Sequence, residues 1–189
     1  MLGSLVGKPV GDEKTLEALR IIDLRADAFR QLVDLHLDGA YRLAGVILND
    51  RIEAEDAVHD AAIAAWRGFA DLRDPTRFDP WFRRILVNEC RDRLRDRFRR
   101  RAVDVSREAV EADHPHIADA SDATAARDAL GRALVALAPD EQVVVTLRFY
   151  ADLTVPGIAE MLGIPEGTVK SRLHHAMGRL RRALEEAER

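Results

Sequence analysis

Cysteine is almost missing from this chain: 189 residues contain one, Cys90. A single thiol cannot close an internal disulfide, so the fold must rest on its packing, and a reducing cytoplasm is the expected location. Long apolar runs are missing too. The longest, such as Ala61–Trp66 and Ala133–Ala138, fall far short of the ~20 residues that span a bilayer, so no membrane insertion is expected. Met1–Gly11 has neither the basic start nor the apolar stretch of a signal peptide and reads as a disordered lead-in. Aromatic residues are scarce at 5%. Alternating apolar and polar stretches and Asn-Gly hairpin signals are lacking, which argues against a sheet. What is abundant is alanine, leucine and arginine, all good helix formers, in a chain that is 47% hydrophobic. The length leaves room for two small cores. The expected fold is all-α: two small helical domains joined by a flexible acidic linker, the second domain containing a helix-turn-helix.

The helix-turn-helix is read from Thr154 onward. Thr154 can N-cap a helix opened by Val155 and Pro156, where proline is tolerated because the first N–H groups lack intrahelical partners. Ile158, Ala159 and Leu162 give that helix one apolar face. Gly163 supplies a left-handed C-terminal turn, and Pro165 stops the helix and sets the start of the next. From Glu166 to about Glu185, Val169, Leu173, Ala176 and Leu180 form an inward stripe. Lys170, Ser171, Arg172, His174, His175 and Arg179 are left for the outer faces. A narrow cationic face on a helix held across another is what a DNA major groove accepts. The plain alternative is a helical hairpin with a solvated charged face.

A second cationic element starts near Phe78. Between Arg83 and Arg101 there are nine arginines against three acids, a local charge of +6 in a chain whose net charge is −4. Concentrated basic charge is the electrostatic footprint of a polyanion partner. Trp66, Phe69, Phe78, Trp81 and Phe82 lie at its front and can offer stacking platforms to unpaired bases, at ~1–3 kcal/mol each. Phe82, Ile85 and Leu86 read better as the core stripe of an amphipathic helix. Trp81 borders that stripe, and both readings stay open for it.

Residues 12–101 read as the first domain, 102–124 as the linker and 125–189 as the second domain. The first domain opens with a helix from Asp12 to about Leu24, then one bearing Phe29, Leu32, Val33, His36, Leu43, Ala44 and Ile47 at a 3.6-residue period. Glu53–Phe69 follows, with Ala57, Val58, Ala61, Ala65 and Phe69 inward and Glu53, Asp56 and Asp60 opposite. Asp71–Thr76 is a loop broken by Pro75. Ala102–Thr124 carries six acids and one arginine and shows no apolar period. Such a self-repelling segment stays extended and reaches at most ~80 Å. In the second domain, Leu130, Leu134, Val135 and Leu137 mark a helix, and Asp140 is read as the cap of Glu141–Tyr150.

No catalytic site, metal site or cofactor is expected. His36 and His59 have no Cys/His/Asp cluster of metal spacing around them, and His36 reads as a core-edge histidine. Asp56 and Asp60 share a helix face, as general acid–base work would require, but no nucleophile or phosphate loop accompanies them. A partner-facing acidic patch is the better reading.

Taken together the segments resemble a known family. Trp81–Phe82-x-x-Ile85–Leu86-x-Asn88-x-x-x-Asp92-x-x-Arg95 resembles the promoter −10 reading and melting helix of bacterial sigma factors. Ala54–Asp60 through Trp66 resembles the preceding helix, which docks on the RNA polymerase clamp. Ile158–Leu173 resembles the −35 reading helix-turn-helix. Order and spacing are similar to the two-domain, extracytoplasmic-function (ECF) type of the sigma-70 family, over roughly residues 25–101 and 125–186.

The resemblance implies a set of roles. The −10 element falls to Trp81, Arg84, Asn88, Arg91 and Arg95. The −35 element falls to Thr168, Lys170, Ser171, Arg172, His174, His175 and Arg179, with Arg172 and Arg179 on the DNA backbone. Clamp docking falls to Glu55, Asp56, His59, Asp60 and Trp66. Here His59 stands where the family usually has glutamine, Ala62 where it has a large aromatic, and His175 where arginine is common. The implied partners are core RNA polymerase through its clamp and flap, promoter DNA and an anti-sigma factor, with the linker entering the polymerase's RNA path. The rival reading is an autonomous helix-turn-helix regulator, which needs a dimer to read a palindrome; no dimerisation heptad is evident.

Overall fold

The computed structural model describes residues 13–104 and 130–187. The expected lead-in and nearly all of the expected linker lie outside them. Three helices form the first half: α1 (Glu13–Leu48), α2 (Arg51–Gly68) and α3 (Phe78–Asp104). After a short helical stretch at residues 130–135 come α4 (Pro139–Phe149), α5 (Val155–Leu162) and α6 (Glu166–Ala187). Among the described residues there is no strand, and no helix is long and apolar enough to cross a membrane.

The expected break near Leu24 does not occur: α1 is one helix of 36 residues. The segment Leu24–Phe29 contains neither glycine nor proline, so nothing there interrupts the hydrogen-bond ladder. The helix stops at Leu48. Asn49 takes a left-handed conformation (φ 50°), which asparagine tolerates, and Asp50 caps α2 by accepting from Glu53 N–H at 2.9 Å. Alanines 54, 57, 61 and 65 are all buried on α2, so it lies close against its neighbours. Asp71–Thr76 holds parts of two short 3₁₀ turns, the second capped by Asp74, whose side chain accepts from the Thr76 N–H. That bond and a second from the Thr76 hydroxyl hold the exposed Asp74 carboxyl below its ordinary pKa.

The aromatic residues converge where α1, α2 and α3 meet. Phe78 and Phe82 are fully buried and stack at 5.5 Å between ring centroids, and Phe29 meets Trp66, Phe69 and Phe78 edge-on. His36 sits at the rim of this cluster, 5.8 Å from the Phe78 ring, with Nδ1 3.2 Å from Asp79. The core-edge reading of His36 agrees with this placement.

The two halves do not keep separate cores. Val143, Val144 and Leu147 of α4 and Ile158 and Leu162 of α5 belong to the same buried cluster as Ile47, Leu48, Leu86 and Leu94. A smaller cluster of Ala133, Leu137, Val145, Ala176 and Leu180 closes the far side of the second half. The joint core has a polar cause as well. The last carbonyls of a helix have no intrahelical partner, and those of α1 are taken up from outside: Gln142 Nε2 donates to Ile47 O at 2.8 Å and Arg97 Nη2 to Leu48 O at 3.1 Å.

Cys90 is fully buried on α3, and desolvation pushes its thiol up to about 12. Since the thiolate is the reactive form, alkylation of the native protein should proceed only through opening of the fold. Iodoacetamide labelling followed by mass spectrometry should therefore track denaturant concentration, and fast labelling under native conditions would contradict this burial.

Candidate nucleic-acid interface

Trp81, Arg84, Asn88, Arg91 and Arg95 recur at i, i+3, i+7, i+10 and i+14, so α3 carries them as one stripe. The buried residues Phe82, Leu86, Val87, Cys90 and Leu94 occupy the adjoining face. Trp81 is half-buried: it packs on the joint core, its ring 5.8 Å from Phe78. Gly68 lies beneath it, and a Cβ there would come within 3.2 Å of Trp81 Cζ2. The indole is thus packed in part on the core and in part accessible. Gly68→Ala should tilt the indole without unfolding the domain, seen as a shifted tryptophan emission at an almost unchanged denaturation midpoint; unchanged emission would mean the ring is not held there.

Much of the charge on α3 is already answered within the fold. Arg83 pairs with Asp79, Arg93 with Asp60, Arg95 with Asp140, Arg97 with Glu53 and Arg99 with Asp96. Among the described residues, Arg84 and Arg91 make no ion pair. Arg84 is exposed, and its guanidinium approaches the helix-turn-helix turn, 3.7 Å from where a Gly163 Cβ would stand. Of the nine arginines counted in this segment, three are answered by acids far away in the chain and two by acids on the same helix.

The carboxyl of Glu89 is raised, first by burial and then by the nearby charge of Asp60. A raised carboxyl contributes stability below its unfolded pKa and loses it as pH rises through the folded value. Glu89→Gln should thus stabilise the protein at pH 7 by under ~0.5 kcal/mol, since water still screens the group. The gain should vanish at acid pH; denaturant midpoints at pH 7 and pH 4 compare the two.

The second half builds the helix-turn-helix as its sequence dictates. Thr154 accepts from Gly157 N–H at 3.2 Å and caps α5. Gly163 has φ 64°, and Ile164 N–H returns to Ala159 O at 3.0 Å, closing the helix end. On α6, Val169, Ala176 and Leu180 are buried and Leu173 half-buried. Lys170, Ser171, His174, His175 and Arg179 are exposed, and Thr168 and Arg172 half-buried. The rings of His174 and His175 lie 5.9 Å apart. Ser171 Oγ donates to Thr168 O at 3.0 Å, which leaves the hydroxyl as an acceptor toward anything outside. Lys170 pairs loosely with Glu166 at 3.7 Å.

Asp140 departs from its expected place. Ala138 is the N-cap of α4, its N–H answered by the Glu141 carboxylate at 3.2 Å. Pro139 starts the helix two residues earlier than the cap reading required. Asp140 therefore sits in the first turn and holds Arg172 at 2.7 Å, while Glu141 holds Arg179 at 3.4 Å.

On α2, Glu55, Asp56, His59 and Asp60 all lie toward solvent, with Glu55 paired to Arg51 at 2.9 Å. Trp66 is 36% exposed, with the Arg25 guanidinium 5.1 Å above its ring. Ile52 (73% exposed) and Ile63 share the face of Asp56 and His59, and the sequence reading passed over both. Their spacing of four, three and four residues, apolar among acids, was the available signal.

A helix-turn-helix beside a separate cationic helix with an indole at its rim is the architecture of a DNA-binding protein. Residues 32–100 match Sigma-70 region 2, and residues 127–180 match Sigma-70, region 4. The chain is 35% identical over 157 residues to the ECF RNA polymerase sigma factor SigM of Mycobacterium tuberculosis, spanning 83% of this chain and 77% of that one. It is 28% identical over 167 residues to the ECF RNA polymerase sigma factor SigW of Bacillus subtilis, spanning 84% and 89%. Its fold is similar to the sigma factor RpoE of Bartonella quintana, solved with the anti-sigma factor NepR (TM-score 0.60, 26% identity, 83% and 96% covered). It is also similar to CnrH, solved with the cytosolic domain of CnrY (TM-score 0.56, 25% identity, 86% and 96% covered). The chain belongs to the sigma-70 family of RNA polymerase sigma factors, in its extracytoplasmic-function group.

Proposed function

We propose that this sigma factor divides promoter recognition between the α3 stripe and α6, and that it does so docked on core RNA polymerase through the outer face of α2. The single stripe of Trp81, Arg84, Asn88, Arg91 and Arg95 carries the reading. The arginines neutralise phosphates with release of counterions, Asn88 offers an amide to an unpaired base, and the open side of Trp81 gives that base a surface to stack on. Binding energy realised only on the opened −10 strand shifts the duplex toward the open state without covalent chemistry, so the protein acts as a binding factor and not as an enzyme. On α6, Lys170, Ser171, His174 and His175 face the −35 base edges, Thr168 stands at the rim of that face, and Arg172 and Arg179 serve the backbone. The exposed acids Glu55, Asp56 and Asp60, with His59 and Trp66, make the clamp-docking surface, and Ile52 and Ile63 add apolar contact to it. Residues 12–101 and 125–189 are the two working domains, with the acidic segment 102–124 between them. Work with the polymerase places the chain in the cytoplasm. The solved neighbours were captured with an anti-sigma factor or with the cytosolic domain of CnrY, and an anti-sigma factor is the partner proposed for this chain as well.

Run-off transcription with core polymerase on a promoter library, followed by permanganate footprinting, tests the reading. Trp81→Ala and Asn88→Ala should keep core binding and duplex capture but lose thymine reactivity at −10, with ~1–3 kcal/mol less affinity for the single strand. Promoter binding that is sequence-specific without core polymerase would favour the autonomous regulator instead.

A further inference from the structure

Asp140 joins the two reading elements. Arg95 Nη2 reaches its Oδ1 at 2.8 Å and its Oδ2 at 3.1 Å, and Arg172 Nη2 meets Oδ2 at 2.7 Å. One carboxylate thus ties an arginine of the α3 stripe to an arginine of α6. The first turn of α4 favours negative charge because the helix N-terminus is its positive pole. The group is sheltered: the side chains of Asp140 and Arg172 are 23% and 25% exposed. The apolar seam of Val143, Val144 and Leu147 lies on the same helix. In this arrangement the helix-turn-helix unit covers part of the stripe, as the approach of Arg84 to Gly163 also shows.

We propose that Asp140 is a built-in phosphate mimic that fastens the helix-turn-helix half onto the α3 stripe, and that nucleic-acid phosphate displaces it from Arg95 as DNA is taken up. The proposal rests on the reading of Arg95 as a DNA contact. A carboxylate and a phosphate present the same paired oxygens to a guanidinium, so Arg95 serves one of them at a time. While it serves Asp140, the stripe stays partly covered. Once a phosphate takes Arg95, the charged tie between the halves is cut, leaving the Gln142–Ile47 hydrogen bond and the apolar seam to hold them, and Arg172 keeps Asp140 neutralised within its own half.

Spin labels at Arg67→Cys on α2 and Glu160→Cys on α5, both exposed positions, report the separation of the halves in the full chain. The buried Cys90 is not labelled under native conditions. The unsubstituted clasp should give one narrow distance. Asp140→Asn and, independently, Arg95→Gln should lengthen and broaden it, and a random 30-base-pair duplex should do the same to the parent chain. Arg95→Gln leaves the Asp140–Arg172 pair in place, so it decides the matter even if Asp140→Asn unsettles the second half. Binding of that duplex should be tighter in Asp140→Asn at an unchanged salt slope, because Arg95 meets phosphate in both chains, and the slope should fall by about one unit in Arg95→Gln. The double variant should share the lowered slope of Arg95→Gln. An unchanged distance in both single variants overturns the clasp, whatever happens to DNA binding. A longer distance with a salt slope left unchanged by Arg95→Gln overturns the displacement by phosphate and removes Arg95 from the DNA contacts.

Discussion

Phe82→Ala is expected to cost ~3–5 kcal/mol, enough to leave the first half largely unfolded at moderate temperature. Phe82 is 1% exposed and stacks on Phe78, which itself touches Phe29, Phe69 and Trp81. Removing the ring leaves a void at the meeting point of α1, α2 and α3, and few aromatic residues remain elsewhere to refill it. The adjacent Trp81→Ala should cost markedly less, because Trp81 is only half-buried. Chemical denaturation followed by circular dichroism compares the two. If Trp81→Ala proves as damaging as Phe82→Ala, the indole is a core residue and its place in the reading stripe falls.

His175→Arg should move the preferred −35 sequence toward guanine at one position, by ~1–3 kcal/mol. His175 is exposed on α6, beside His174 and clear of the Asp140–Arg172 pair. An imidazole cannot supply the two-pronged donor that a guanidinium offers to guanine O6 and N7, so the change adds a contact that the parent lacks. Arg172→Ala should act differently. Arg172 is held by Asp140, so its loss should weaken binding to all sequences and also lower the stability of the second half. Binding-site selection on both variants, with denaturation midpoints alongside, separates the effects. An unchanged selected sequence for His175→Arg would take His175 out of the base-reading face.

Local signals were read correctly because local physics fixed them. Thr154, Gly163 and Pro165 define the helix-turn-helix through capping, a left-handed turn and a helix stop, each decided within a few residues. Val169, Ala176 and Leu180 followed from helical period alone. What escaped the sequence was long-range. That Arg93 belongs to Asp60, Arg97 to Glu53 and Arg95 to Asp140 depends on how helices cross, and no spacing rule reaches 33, 44 or 45 residues. The joint core escaped for the same reason: Val143, Val144 and Leu147 read as apolar without saying which half they serve. The misplaced cap of α4 is a smaller lesson. Proline after alanine let the helix begin at Pro139, and a strong capping residue one position later was turned to pairing instead.

The carbonyl of Ile47, answered across the seam by Gln142, gives the chain a gauge of its own state. When the halves part, that oxygen passes to water and the last turn of α1 keeps only the Arg97 bond to Leu48 O, so the amides of residues 45–48 lose protection. Their deuterium uptake then measures the open population directly, on the unlabelled protein and at whatever rate it opens and recloses. A solution of this chain thus carries a readout of its own posture in a few backbone hydrogens.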